Sequence, residues 1–243
     1  MLIMASDDLE RKLVKVAEVI PDDIRNPYIL KRWIIKLIAP NGNLDTHLVG
    51  VAIDLGVYAH EAQNRESGEP YITHPLQVGC ILAYISADSQ TIAAGILHDS
   101  VEDTLGARRA EIITRVYAFL GRDVLKLVLQ VSDVQTYENI FNLIKDPDLK
   151  SLLREFKREV LSEDPKVAAI EVGDGLSNLL TLDGLKPSYD MPAEQRRANS
   201  VKTTRERILP FARIVDETYK PSLKIHPYME RLLAQEEAKL TQR

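Results

Sequence analysis

Apolar residues recur at spacings of three and four along almost the whole chain, and no run alternates apolar and polar residues over the length of a strand. That one feature commits the sequence to an all-α, multi-helix fold, because a sheet would have no alternating face to bury. Leu9, Leu13, Val16 and Ile20 predict a helix over 9–20 behind Ser6 as N-cap. Ile29, Trp33, Ile34 and Leu37 predict a second over 28–38, closed by Pro40 and Gly42, with Tyr28 and Trp33 packing this N-terminal pair. Further helices are expected over 46–63, 74–86 and 89–103, the last behind Asp88 as N-cap. The pattern continues over 107–120, 121–131, 137–144 and 148–162. Asp164-Pro165 opens a helix over 165–182, a cap followed by proline in the first turn. Gly184, Pro187 and Pro192 break the chain before a long polar helix over 193–219 and a last one over 226–240. Residues 1–43 read as an N-terminal helical extension, 44–187 as the core unit and 188–243 as C-terminal helices packing on it.

Charge and cysteine content narrow the function. The 31 basic and 36 acidic residues leave a net charge of −5, which argues against a nucleic-acid coat, since phosphate neutralisation needs clustered positive charge. No apolar run reaches the roughly 20 residues needed to cross a bilayer, and the first residues lack the charged and apolar regions of a signal peptide. The single cysteine, Cys80, reads as a small core residue and suits a reducing compartment. The expectation is a cytoplasmic protein.

Three stretches concentrate metal-ligating groups: Tyr71-Ile72-Thr73-His74-Pro75, the run from Gly95 to Thr104, and the run from Glu171 to Leu182. On a helix over 89–103, His98, Asp99, Glu102 and Asp103 would share an arc of roughly 140°. Three carboxylates crowding one imidazole at the end of the apolar run Ile92 to Leu97 are costly to bury unless a cation sits among them. Asp174, Asn178 and Thr181, at i, i+4 and i+7, share a face that offers a further carboxylate and polar groups for a substrate. Each feature alone has a plainer reading. A histidine before proline is commonly a core residue, Asp174 between two glycines can simply bend a helix, and Glu102-Asp103 can be a solvated helix end. Their joint occurrence favours a metal site.

The run Arg65-Glu66-Ser67-Gly68-Glu69-Pro70-Tyr71-Ile72-Thr73-His74-Pro75-Leu76, followed by Thr91-Ile92-Ala93-Ala94-Gly95-Ile96-Leu97-His98-Asp99-Ser100-Val101-Glu102-Asp103-Thr104, closely resembles the hydrolase domain of the RelA/SpoT alarmone enzymes. That domain belongs to the HD superfamily of metal-dependent phosphohydrolases. The resemblance continues at Gly173-Asp174-Gly175-Leu176-Ser177-Asn178 and, more weakly, over 204–212, covering about 46–215. It implies His74, His98, Asp99 and Asp174 as ligands of Mn²⁺, and Glu102 and Asp103 as catalytic carboxylates that orient and deprotonate the attacking water. It implies Arg65, Ser67, Asn178 and Thr181 as substrate-binding residues. The implied reaction removes pyrophosphate from the 3′ position of guanosine 3′,5′-bis(diphosphate). The long members' synthetase and regulatory domains do not fit in 243 residues, so a single-domain form is expected.

Departures from the family pattern bear on the substrate. Glu66 stands where the family has a lysine, and Gly175, Ser177 and Leu180 replace Arg, His and Arg. Glu66 is expected to repel heavily phosphorylated nucleotides. Two alternatives follow: an enzyme acting on another phosphorylated nucleotide, such as a nicotinamide dinucleotide with a 2′-phosphate, or a nucleotide-binding regulatory module with weak turnover. Arg196, Arg197, Lys202, Arg205 and Arg207 are read mainly as a solvated helix face, and His60 as a packing or hydrogen-bonding residue.

Overall fold

The computed structural model describes residues 26–132, 144–149, 164–219 and 224–241. The helices expected over 9–20, 137–144 and 148–162, with the Ser6 cap, fall wholly or almost wholly outside these residues. Within them the fold is all-α. Among the described residues the principal helices are α1 Pro27–Ile38, α2 Thr46–Ala59, α3 Thr73–Tyr84, α4 Ser89–Leu97, α5 Gly106–Val131, α6 Pro165–Leu180, α7 Ala193–Thr203, α8 Leu209–Thr218 and α9 Ile225–Thr241. No strand occurs among the described residues; Asn64 and Pro70 form an isolated bridge.

The boundaries follow local chemistry. Asp88 Oδ1 accepts from Thr91 N at 3.0 Å and Asp164 Oδ1 from Lys166 N at 2.9 Å, so both expected caps form. α2 stops at Ala59, short of 63, because Ala62 takes a left-handed φ of 64°. The predicted division at 120/121 is a real kink: Gly121, at φ 85° and ψ 179°, interrupts α5. The long polar helix over 193–219 is instead two helices joined by a π turn at Thr204–Ile208. Pro210, in the first turn of α8, has no N–H to continue a regular ladder.

α4 lies at the centre, packed against α2, α3, α5 and α6, while α3 also packs against α1 and α6. Close approach depends on missing side chains. A Cβ on Gly79 of α3 would stand 2.7 Å from Ile96 Cγ1 of α4, and one on Gly173 of α6 would stand 3.1 Å from Val78 Cγ1 of α3. Leu30, Ile34 and Ile38 of α1, Ile92 and Ile96 of α4, and Ala212, Met229 and Leu233 of the last helices belong to one continuous core. Each fully buried Leu or Ile contributes about 1.5–3 kcal/mol relative to an exposed one. Trp33 packs partly against this core, but Tyr28 does not: it is 80% exposed, because position 28 falls off the Leu30-Ile34-Ile38 stripe. Cys80 is buried, as expected.

Candidate metal centre and substrate pocket

Three packed helices deliver the cluster. His74 sits in the first turn of α3, Asp174 in the middle of α6, and His98 and Asp99 in a 3₁₀ turn, His98–Ser100, that follows α4. The helix expected over 89–103 thus ends at Leu97. Side chains claim the carbonyls that would have continued it or hold the turn that follows. His98 Nδ1 bonds Gly95 O at 2.8 Å, and Thr104 Oγ1 donates to Ser100 O at 2.7 Å. The buried Arg109 of α5 donates to Thr104 O at 2.7 Å and Glu102 O at 3.0 Å.

Both imidazoles and both carboxylates converge. His74 Nε2 lies 3.0 Å from Asp174 Oδ1 and 3.4 Å from Asp99 Oδ2. His98 Nε2 lies 3.1 Å from Asp99 Oδ1 and 3.6 Å from Asp174 Oδ1. His74, His98 and Asp99 can each point one ligand atom at a common centre, all within 4.8 Å of one another. The other ring nitrogens fix the tautomers. A carbonyl only accepts, so His98 Nδ1 carries the hydrogen and Nε2 offers its lone pair. Ser177 Oγ donates to Gln77 Oε1 at 2.8 Å, so it accepts from His74 Nδ1 at 2.9 Å and leaves that Nε2 free as well. His98 Nε2 is buried without a hydrogen-bond partner. Two outward lone pairs facing two carboxylates are a donor set fitted to a divalent cation.

The electrostatics agree. Burial opposes charge on His98, but Asp99 and Asp174 outweigh it and hold the imidazole well above its usual range. Burial would raise Asp99, but His98 and His74 hold it down at about 2. Asp174 is likewise held well below the usual carboxylate range, against burial, by the His74 and His98 imidazoles beside it. Without a cation this field attracts a proton, for which a metal ion competes. Glu171, by contrast, is raised to about 7 by burial and then by the charge of Asp174.

A cavity of about 370 Å³ opens over the cluster, with His74, Asp99 and Asp174 in its floor. Asn64, Arg65, Glu66 and Tyr71 form one wall, and Asn178, Thr181 and Arg196 another. Asn178 Nδ2 donates to Asp174 Oδ1 at 2.8 Å, which establishes the shared helix face. Arg65 Nη2 reaches across to Thr181 Oγ1 at 3.4 Å. Ser67 sits against Gly184, where a Cβ would come within 3.1 Å of it, and does not line the cavity. Glu102 is half-buried and Asp103 exposed; they flank the cluster instead of lying deep along the apolar approach.

The departures acquire structural reasons. Glu66 Oε2 accepts from Arg196 Nη1 at 2.8 Å and from Lys186 N at 3.0 Å, and the Arg196 bond above all holds its carboxyl below the usual range. Glu66 is therefore a neutralised charge, not the free repulsive one expected. Arg196 lines the cavity, so the reading of 196–207 as a solvated face fails there, while Arg197 lies 3.7 Å from the exposed Asp183 and Arg205 pairs with Glu237 at the surface. Gly175 makes room for Ile208, whose Cγ2 would stand 2.7 Å from a Cβ there. Ser177 is the residue sequence reasoning missed: its spacing of three from Asp174 puts it near the site, but its bond to His74 comes from another helix.

The comparisons define the class. An HD-domain family profile matches residues 52–203, and the chain belongs to that family of all-helical domains, which bind divalent metals. The chain is 36% identical over 132 residues to the bifunctional (p)ppGpp synthase/hydrolase SpoT of Escherichia coli (strain K12), covering 53% of this chain and 17% of that protein. It is 33% identical over 153 residues to a probable guanosine-3′,5′-bis(diphosphate) 3′-pyrophosphohydrolase of Synechocystis, covering 63% and 18%. A GTP pyrophosphokinase of Myxococcus xanthus is 28% identical over 175 residues, covering 71% and 21%. The match thus spans about a fifth of the length of these relatives. Among the described residues no helix is long and apolar enough to cross a membrane.

Proposed function

We propose that the protein is a manganese-dependent phosphohydrolase that removes pyrophosphate from the 3′ position of guanosine 3′,5′-bis(diphosphate). The observation that carries this reading is the pair of outward Nε2 lone pairs facing two carboxylates in the floor of a pocket walled by Arg65 and Arg196. His74, His98, Asp99 and Asp174 would hold the ion, which supplies charge stabilisation at phosphoryl oxygens and a lowered pKa for water. Arg65 and Arg196 meet the phosphates, and Asn178 and Thr181 face the sugar side. Glu102 and Asp103 orient the attacking water. Asp103 takes its proton, a role suited to a carboxyl on an exposed residue that is raised by partial desolvation against the cluster and then by the charge of Asp99. Phosphoryl transfer asks for positioning more than covalent chemistry, and a cavity this size fits a nucleotide.

The test is to incubate purified protein and Mn²⁺ separately with the tetraphosphate alarmone and a 2′-phosphorylated nicotinamide dinucleotide. Pyrophosphate released from the alarmone supports the reading. Phosphate released only from the dinucleotide replaces the substrate, and no turnover of either, with no ion bound, overturns the enzyme.

A further inference from the structure

Gln63 is tied into three separate parts of the chain. Its Oε1 lies 2.7 Å from His60 Nδ1, at the end of α2. Its Nε2 donates to Asp103 O at 3.2 Å. Its main-chain oxygen accepts from Tyr71 N at 2.9 Å. Because the amide nitrogen faces a carbonyl, Oε1 is the acceptor toward His60, so His60 carries its hydrogen on Nδ1 and presents a lone pair at Nε2. That Nε2 is buried without a hydrogen-bond partner. A phenyl ring would fill the same space without an orphaned acceptor; what an imidazole adds at this position is the bond to Gln63. The ring stacks on Tyr71 with centroids 4.8 Å apart, and the Tyr71 hydroxyl donates to Asp99 Oδ2 at 3.0 Å. The turn that swings Gln63 back over His60 passes through Ala62 at φ 64°, a left-handed conformation that costs a non-glycine residue free energy.

We propose that His60 and Gln63 are positioning residues that set the placement of Asp103 against Asp99. One arm runs from Gln63 to the main chain of Asp103. The other runs through the His60 ring and Tyr71 to the Asp99 carboxylate. Asp103 N is itself bonded to Asp99 O at 2.9 Å, so both arms close on one short turn. The side chains that hold the turn and the side chains that perform the chemistry are different, and Gln63 touches neither the cavity nor the floor of the site. The catalytic consequence rests on the reading of Asp103 given under Proposed function; the bond network does not.

Gln63→Leu and Gln63→Glu test the inference. The leucine removes both side-chain bonds; the glutamate keeps an acceptor for His60 but turns an oxygen toward the Asp103 carbonyl. Both should lower kcat at least tenfold, the scale of a lost outer-shell partner, with KM within twofold and one ion retained per chain. Independently of any substrate, hydrogen exchange at the Asp103 amide should accelerate at least tenfold in both. Long-range ¹H–¹⁵N spectra should show His60 as the Nδ1–H tautomer in the parent. Unchanged exchange, the other tautomer, or a Gln63→Glu variant that behaves like the parent overturns the inference. Faster exchange in a protein that hydrolyses neither nucleotide leaves the positioning network standing and overturns the function instead.

Discussion

Ser177→Ala removes one oxygen from the interior and should weaken the metal centre without touching a ligand. Ser177 is fully buried, between His74 at 3% and Gln77 at 2% exposure. Its hydroxyl is the acceptor for His74 Nδ1–H and a donor to Gln77 Oε1. Loss of the oxygen strips His74 of its acceptor in a space too small for a replacement water, whose share of volume is about 30 Å³. An unsatisfied buried group costs about 1–3 kcal/mol, so unfolding by urea should show a loss of about 2 kcal/mol in the metal-free protein. The freed imidazole also loses the bond that fixes its tautomer and ring angle, and outer-shell losses of this kind weaken metal affinity by about 10–100-fold. Competition titration with a chelator reads that affinity directly. Stability and affinity both indistinguishable from the parent would refute the hydrogen-bond chain from Gln77 to the metal face of His74.

Three other substitutions probe independent features. Glu171 has an ordinary value of 4.5 and is raised to about 7 on folding, so the folded chain binds this proton more tightly and the metal-free parent loses stability as pH rises through that window. The gap bounds the effect at roughly 3 kcal/mol, and partial exposure reduces it to about 1–2 kcal/mol; the stability of Glu171→Gln relative to the parent should climb by that amount between pH 4.5 and 7, and a flat difference would refute the assignment. Glu66→Gln releases Arg196 toward the cavity and should lower KM for the tetraphosphate about threefold at low salt, an effect that high salt erases; an unchanged KM would mean that Arg196 does not reach the phosphates. Gly175→Arg drives a side chain into Ile208 and should destabilise by about 1–3 kcal/mol, read as a lowered Tm; an unaltered Tm would show that α6 and the π turn separate easily.

The helical fold was readable because apolar spacing is a local property, and the capping carboxylates Asp88 and Asp164 announce themselves beside their helices. His74, His98, Asp99 and Asp174 could be picked out by residue type and motif, and the structure brings all four together. What stayed hidden was set by partners distant in sequence. The end of α4 at Leu97 is followed by a turn whose carbonyls Arg109 holds from α5. Ser177 meets His74 across 103 positions, and Glu66 meets Arg196 across 130. The spacing argument that put Glu102 and Asp103 deep on one helix failed because it assumed an unbroken α-helix. The same blindness made Glu66 look like a free charge.

The glycine contacts between α3, α4 and α6 divide the molecule into a part that is hard to vary and a part that is easy to vary. Gly79 and Gly173 set the spacing of helices that carry His74 and Asp174, so a side chain added there presses on the packing that holds these two residues. The cavity walls are joined differently: Glu66, Lys186 and Arg196 meet through half-exposed polar bonds at the surface, where a substitution costs little. Descendants of this chain can therefore change what the cavity admits by rewriting residues 64–67 and the start of α7. The histidine and carboxylate floor would be inherited unchanged.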